Sequence, residues 1–310
     1  MMEFIRGLGN IKSVDGAACA VTIGNFDGLH RGHQALIACT LDAASQFEAI
    51  PTAVIFEPHP REYFCPGDAP QRVFSLREKL DALATVGIQR VLCLRFDQRL
   101  AELTAAEFIR QILVDGLRAR AVIVGEDFRF GADRAGDVKL LCELGGKHGF
   151  EVCGLTAVEV GAERASSTRL RAALAAPDLT AARALLGRRY AMHGRVRSGL
   201  RLGRELGMPT ANILRHKPTA LQHGVYAVRA CWANRGPVAG VASLGVRPTL
   251  NLQTCLLETH LFEPPGDLYG QILEVEFVHF LRPQLRFDGL DALRRQMHKD
   301  AAQARALLGA

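Results

Sequence analysis

The spacing of apolar residues changes once along this 310-residue chain, near Gly187, and that change dictates two differently built halves. Before it, short apolar runs recur at residues 20–24, 53–56, 90–94, 121–125 and 151–155. Runs of this length suit strands buried on both faces. Helical patterns with readable starts lie between them. Ser75-Leu76-Arg77-Glu78 and Thr104-Ala105-Ala106-Glu107 carry capping-box spacing, and a helix beginning near Asp137 ends at Gly145-Gly146 or His148-Gly149. Such alternation predicts an α/β unit with a parallel sheet and helices on both faces. Residues 172–186 read as a helical connector interrupted at Pro177-Asp178. Beyond Gly187, strand-like runs at 190–196, 224–232, 237–244, 254–262 and 272–281 follow one another through glycine and proline turns. They predict a small antiparallel β-barrel. Residues 288–308 form an amphipathic terminal helix with Asp288 as its expected N-cap. The expected domains are therefore 1–178, α/β, and 179–310, β with a terminal helix.

Composition narrows the function classes. A chain 48% hydrophobic and 23% charged is ordinary for a globular protein. No apolar run nears the roughly 18 residues that span a bilayer. The start, Met1-Met2-Glu3-Phe4-Ile5-Arg6, lacks the basic and apolar regions of a signal peptide. Eight cysteines stand singly, without a C-x-x-C pair, which fits reduced thiols in a cytoplasmic protein. The formal charge of +6 comes from dispersed arginines, not a basic block. That balance favours anionic small substrates over nucleic acid.

Two separated segments carry phosphate chemistry. The first is Gly24-Asn25-Phe26-Asp27-Gly28-Leu29-His30-Arg31-Gly32-His33, where a strand runs into a helix that opens near His30. Gly24 and Gly28 permit tight turns and close approach of a ligand. A helix start offers unpaired N–H groups and partial positive charge to phosphate. His30 and His33 share one face of the first turn and can hydrogen-bond phosphate oxygens as charge develops. Gly32 between them is expected to leave room for a nucleotide. H-x-x-H is also half of a zinc site, but no nearby Cys or His completes it. Ser166-Ser167-Thr168-Arg169-Leu170-Arg171 follows the last strand and opens a helix. Its hydroxyls serve equally well as a structural cap or as phosphate ligands, and Arg171 has the planar fork for a phosphate clamp. Phe56-Glu57-Pro58-His59-Pro60 and the loop 125–131, with Asp127, leave the carboxyl ends of strands, where open α/β sheets bind ligands. His59 taken alone reads as structural.

The second segment is Gly207-Met208-Pro209-Thr210-Ala211-Asn212, after the glycine- and arginine-rich stretch 194–207 that includes Gly199. A flexible loop with backbone N–H groups suits phosphate. Thr210 and Asn212 are two apart, so on a strand they face one side. Their oxygens suit Mg²⁺. Glu258 in Leu256-Leu257-Glu258-Thr259-His260 fits general-base work on a hydroxyl, or a surface-facing glutamate on a half-exposed strand.

H-x-G-H at a strand-to-helix turn resembles the signature of the nucleotidyltransferase superfamily. Both halves together resemble the bacterial bifunctional riboflavin kinase/FAD synthetase family. The likeness runs through residues 24–33, 56–60, 125–136, 167–171, 194–212, 224–226, 240–249, Glu258 and 267–280, nearly the whole length. It implies a Rossmann-like nucleotidyltransferase domain followed by a riboflavin kinase barrel. It implies phosphorylation of riboflavin to FMN by ATP and Mg²⁺, with Thr210 and Asn212 at the metal and phosphates, Gly199 and Gly207 in the nucleotide loop, and Glu258 as base. It implies adenylylation of FMN by a second ATP to give FAD and pyrophosphate. There His30 and His33 would stabilise the transition state. Gly24, Phe26, Asp27, Gly28, Ser167, Thr168 and Arg171 would hold ATP and its phosphates, while His59 and Asp127 would be candidate substrate contacts. The implied partners are riboflavin, FMN and ATP, with no nucleic acid and no membrane, in a monomer or weak oligomer. Asp127 stands where the family more often has asparagine, and Met208 where it has phenylalanine. A flavin-sensing or nucleic-acid-binding protein with vestigial sites is the competing reading. The intact His30/His33 and Thr210/Asn212/Glu258 sets argue against it.

Overall fold

A computed structural model describes residues 2–7, 9–10, 16–199, 202–215, 217–233, 235–249, 252–263 and 266–310. By packing, the chain forms two compact units: Met1–Pro70 with Lys79–Ser166, and Gln71–Glu78 with Ser167–Ala310.

The first unit is built on β1 (Glu3–Arg6), β2 (Cys19–Ile23), α1 (Arg31–Gln46), β3 (Ile50–Glu57), α2 (Pro60–Phe64) and α3 (Leu76–Thr85), which begins within the second unit's segment. It continues through β4 (Arg90–Arg95), α4 (Gln98–Ala101), α5 (Ala105–Phe108), a π-helical turn Ile109–Val114, β5 (Ala119–Gly125), α6 (Val138–His148) and β6 (Glu151–Leu155). The sheet order is β1-β4-β3-β2-β5-β6, with every neighbouring pair parallel. All five residues of β2 are buried, as are five of six in β4, which is why these strands read as unbroken apolar runs. Chain order reverses between β2 and β5, so their carboxyl ends open a crevice at the switch point. The segments 24–30 and 126–137 leave those two ends.

The expected helix signals hold. Thr104 and Glu107 form a reciprocal capping box. Asp137 caps α6, and Gly149 ends it in the left-handed conformation at φ 79°. Strand β1 is an addition to the expected set. It is four residues long with only Ile5 buried, too short for a periodic signal. An ion pair at 2.6 Å between Glu3 and the buried Arg90 helps hold it at the sheet edge beside β4.

The second unit contains α7 (Ser167–Ala175), α8 (Leu179–Leu186), β7 (Ala191–Arg197), α9 (Leu202–Glu205), β8 (Ala211–Arg215), β9 (Gly224–Trp232), β10 (Arg235–Thr249), β11 (Leu252–Leu261), β12 (Ile272–Pro283) and α10 (Leu290–Leu308). The six strands close into a barrel in the order β10-β11-β8-β7-β12-β9, antiparallel throughout. Asp178 caps α8 after the break at Pro177. The cap of α10 differs from expectation: Gly289, at φ 110°, occupies the N-cap position with no side-chain bond, so Asp288 lies one residue outside it. Ala304 and Leu308 of α10 pack on Met208, Val225, Ala227 and Val241 of the barrel unit.

Segment Gln71–Glu78 joins this unit through backbone carbonyls, the Glu78 carboxylate and the Phe74 ring, over which Arg188 lies at 5.8 Å. The carbonyls of Gln71, Arg72 and Val73 accept from Arg171 Nε, the Ala220 N–H and the Tyr190 hydroxyl, each at 2.9 Å. Glu78 completes the Ser75 capping box and forms a two-pronged ion pair with Arg215 at 2.6 and 2.8 Å. The Glu78 and Arg215 side chains are 2% and 8% exposed. Burial opposes ionisation of Glu78, but the Arg215 charge and the bonds from Arg215 and Ser75 outweigh it. The carboxyl is therefore held below its ordinary range. Because the folded value is depressed, this contribution to stability is present above the ordinary glutamate value of about 4.3 and is lost as pH falls through the folded one. Replacing Arg215 with Met strands a buried carboxylate and is expected to cost about 3–5 kcal/mol at neutral pH. Denaturant titration of both proteins between acid and neutral pH should show that deficit shrinking as Glu78 protonates. An equal deficit at every pH would contradict it.

Candidate active sites

The turn from β2 into α1 is tightly constrained. Phe26, Gly28 and Leu29 have φ of 46°, 88° and 50°. A left-handed backbone costs an ordinary residue roughly 1–2 kcal/mol, and the buried side chains of Phe26 and Leu29 hold it there. Such strain concentrates at functional sites. His30 is the N-cap of α1, its Nδ1 accepting the His33 N–H at 3.4 Å. In the neutral ring that acceptor role leaves the proton on Nε2. The two imidazoles stack, with centroids 3.7 Å apart and planes inclined by 22°, and Phe26 lies 5.1 Å from His33. Gly32 packs against this pair. A Cβ there would lie 3.1 Å from His30 Cε1, so the glycine makes room for the His30 ring. Asp27 is buried beside this turn.

A cavity of about 720 Å³ opens at Gly24 and Asn25. Phe56, Phe64, Phe96, Phe108, Phe128 and Phe130 line it, with Arg61, Arg129 and Arg134 among the polar groups. The rings contact one another: Phe128 and Phe130 stack at 5.4 Å, and Phe96 meets Phe56 and Phe64 edge-on at 5.9 and 5.5 Å. This aromatic cleft is absent from the motifs. A signal existed, since Phe56, Phe96 and Phe128 sit at or just beyond the carboxyl ends of β3, β4 and β5, which parallel pairing aligns. His59 and Asp127 also line the cleft. His59 caps α2, accepting the Arg61 N–H at 3.1 Å. Asp127 is gripped by Arg164 through bonds of 2.7 and 2.8 Å, and these hold its carboxyl below the usual range against partial burial. Ser167 and Thr168 open α7 and, with Arg171, belong to the second unit.

In the barrel, register decides the site. Thr210 immediately precedes β8, and Asn212 pairs directly with Glu258 on β11. Directly opposed residues share a face of the ladder. Asn212 is 8% exposed, and its Oδ1 has no hydrogen-bond partner among the described residues. Gly199 closes over it: a Cβ would lie 2.6 Å from Asn212 Nδ2. Gly207 turns the loop at φ 80°, while residues 200 and 201 of the glycine- and arginine-rich stretch lie outside the described residues. Two cavities, of about 690 and 180 Å³, share Thr210 and His260 as lining residues. The larger also reaches Arg204, Thr259, Phe262 and Asp267; the smaller reaches half-buried Glu258, Met208, Ser243 and the Arg282–Asp300 ion pair. His260 Nδ1 bonds the Pro209 carbonyl at 2.9 Å, and since a carbonyl only accepts, Nδ1 carries the proton. Burial holds the His260 pKa below its ordinary value. His260 was not anticipated as a lining residue.

A family model described as FAD synthetase matches residues 12–169, and one described as riboflavin kinase matches residues 186–308. A bifunctional riboflavin kinase/FMN adenylyltransferase of Escherichia coli K12 is 42% identical, over 99% of this chain and 98% of its own length. The chain belongs to the bifunctional riboflavin kinase/FMN adenylyltransferase family. The relative of that name from Pseudomonas fluorescens is 45% identical, again over 99% of this chain and 98% of its own. A solved structure from Streptococcus pneumoniae, titled a macrolide-efflux protein, is 28% identical with a TM-score of 0.80, covering 98% of this chain and 99% of that one. Among the described residues here, no helix is long and apolar enough to cross a membrane.

Gly32→Ala offers a direct check on the histidine geometry. The added methyl is expected to push the His30 ring off its stacked position, moving the His30 and His33 ring resonances in NMR while the fold is retained. Unchanged resonances would show that the ring does not depend on the space beside Gly32.

Proposed function

We propose that this chain makes FMN and then FAD from riboflavin, with ATP as donor in both steps. The kinase reaction is assigned to residues 179–310 and the adenylyl transfer to residues 1–178. What carries this reading is that each matched family coincides with a constellation suited to its reaction: His30 and His33 at a helix start in one, Thr210, Asn212 and Glu258 around one ladder position in the other.

In the kinase reaction, Glu258 accepts the proton of the ribityl 5′-hydroxyl as that oxygen attacks the γ-phosphorus of ATP. Glu258 lines the smaller cavity, which suits the flavin; Thr210 reaches both cavities and so can meet the phosphoryl group between them. The open Asn212 Oδ1 and the Thr210 hydroxyl are hard oxygen donors and fit Mg²⁺. When bound, Mg²⁺ would offset negative charge on the phosphate oxygens. Gly199 and Gly207 let the covering loop approach the nucleotide closely.

In the adenylyl transfer, an FMN phosphate oxygen attacks the α-phosphorus of ATP and pyrophosphate leaves. No covalent enzyme intermediate is needed, so positioning and charge stabilisation supply the catalysis. His30, whose Nδ1 is committed to the helix cap, donates through Nε2; His33 and the start of α1 add to the same field. Gly24, Phe26, Asp27 and Gly28 shape the turn that receives the ATP phosphates. The family resemblance assigns Ser167 and Thr168, both inside the FAD synthetase match, and Arg171 just beyond it, to the pyrophosphate end of ATP. The aromatic cleft with its arginines suits a flat flavin carrying a phosphate. His59 sits at that cleft, and Asp127 acts there through the Arg164 pair. We place the protein in the cytoplasm as a monomer or weak oligomer, with small-molecule partners alone.

Chromatography of flavins after incubation with riboflavin, ATP and Mg²⁺ should show FMN and then FAD. His30→Ala or His33→Ala should leave FMN formation intact and slow FAD formation by about 10²–10⁴-fold. Glu258→Gln or Asn212→Ala should stop FMN formation yet still convert supplied FMN to FAD. If every one of these substitutions abolished both reactions alike, separate sites would be untenable.

A further inference from the structure

Strand β11 carries a residue whose chemistry the two reactions above leave unused. Cys255, Leu257, Thr259 and Leu261 alternate along its buried face, and Thr259 is the hydroxyl among them, only 1% exposed. Its Oγ1 has no hydrogen-bond partner among the described residues. Register explains why. Thr259 lies opposite Ala211 on β8 and Ala242 on β10, and a methyl on each side offers nothing to bond. A buried hydroxyl without a partner is unfavourable, and valine would occupy the same shape without that cost. An orphaned polar group in a native interior calls for a specific explanation.

The cavities supply one. Thr259 lines the larger cavity and not the smaller one that holds Glu258. Around it the lining is apolar, with Val196, Ala211, Leu261 and Leu268, while Arg204 and Thr210 belong to the same cavity. A charged phosphate oxygen suits Arg204 and Thr210; an uncharged hydroxyl or ring nitrogen suits the apolar surroundings of Thr259. We propose that Thr259 is a nucleotide-binding residue of the kinase reaction, its hydroxyl hydrogen-bonding the nucleoside portion of the phosphoryl donor. The inference rests on the kinase reading of the barrel. It makes Thr259 a site where stability of the ligand-free protein is given up for recognition.

The full chain with Thr259→Val and Thr259→Ser tests this. Steady-state riboflavin phosphorylation gives KM for ATP and kcat, thermal unfolding without nucleotide gives stability, and conversion of supplied FMN to FAD serves as the internal control. Valine is expected to raise KM for ATP about 10-fold with kcat little changed. It should leave the unfolding midpoint equal or higher, and adenylyl transfer should be untouched. Serine should restore the wild-type KM. Repeating the comparison with 2′-deoxy-ATP locates the partner: a valine penalty that disappears lies at the ribose 2′-hydroxyl, and one that persists lies elsewhere on the nucleoside. An unchanged KM in an active valine variant overturns the proposal. So does a lowered midpoint with kcat and KM both impaired, which would assign the hydroxyl to the barrel's own packing. Wild-type protein that forms no FMN would instead remove the kinase reading itself.

Discussion

The buried pair between Glu78 and Arg215 is the interaction on which the barrel site most depends. Arg215 ends β8, three residues after Asn212, and lies opposite Cys255 on β11. Holding Arg215 in place therefore helps hold the register of β8 against β11. That register is what sets Asn212 beside Glu258. A slip of one residue would carry Asn212 to the other face of the strand. Apolar contacts alone penalise such a slip only through imperfect packing, whereas a two-pronged ion pair with both charges buried tolerates almost no displacement. Glu78 is well suited to the task because it does local work as well: the same carboxylate closes the first turn of α3 and accepts the His193 N–H at 3.0 Å.

In the proposed reactions the two constellations would meet the same demand, control of phosphate charge, with different backbone physics. In the parallel-sheet unit the helix start presents aligned N–H groups, and His30 caps them, with Nε2 left as the proposed donor. In the barrel the candidate groups are discrete side-chain oxygens on strands, those of Asn212 and Glu258, with Thr210 just before β8. Both solutions depend on missing side chains. The His30 ring fills the space beside Gly32, and Asn212 fills the space beside Gly199. In each case a glycine allows a functional group to fold back against the chain that carries it.

How much was legible varied with the range of the interaction. Capping boxes at Ser75 and Thr104, the Asp137 cap and the Gly149 stop depend on neighbours within one turn, and they appear as read. Strands buried on both faces were visible because burial there leaves continuous apolar runs. The four-residue β1 escaped because its place is decided by pairing with β4, far along the chain. Asp288 failed as a cap because Gly289 reaches a backbone conformation that is strained for other residues. The Phe residues of the cleft lie on separate strands, helices and loops and converge only once the strands lie parallel.

By itself, the sequence determined the two fold classes, most helix caps, the segments that leave the strand ends and the family. All of these rest on local periodicity, on turn chemistry or on short motifs that fold adjacent residues together. Tertiary structure alone decided that the Glu78 capping carboxylate would also bind Arg215, that Asp127 would be gripped by Arg164, and that Asn212 would face Glu258 while Thr259 faced two alanines. Those outcomes depend on register and on contacts between residues distant along the chain. Such contacts become favourable only after chain closure has been achieved, and no local pattern records them.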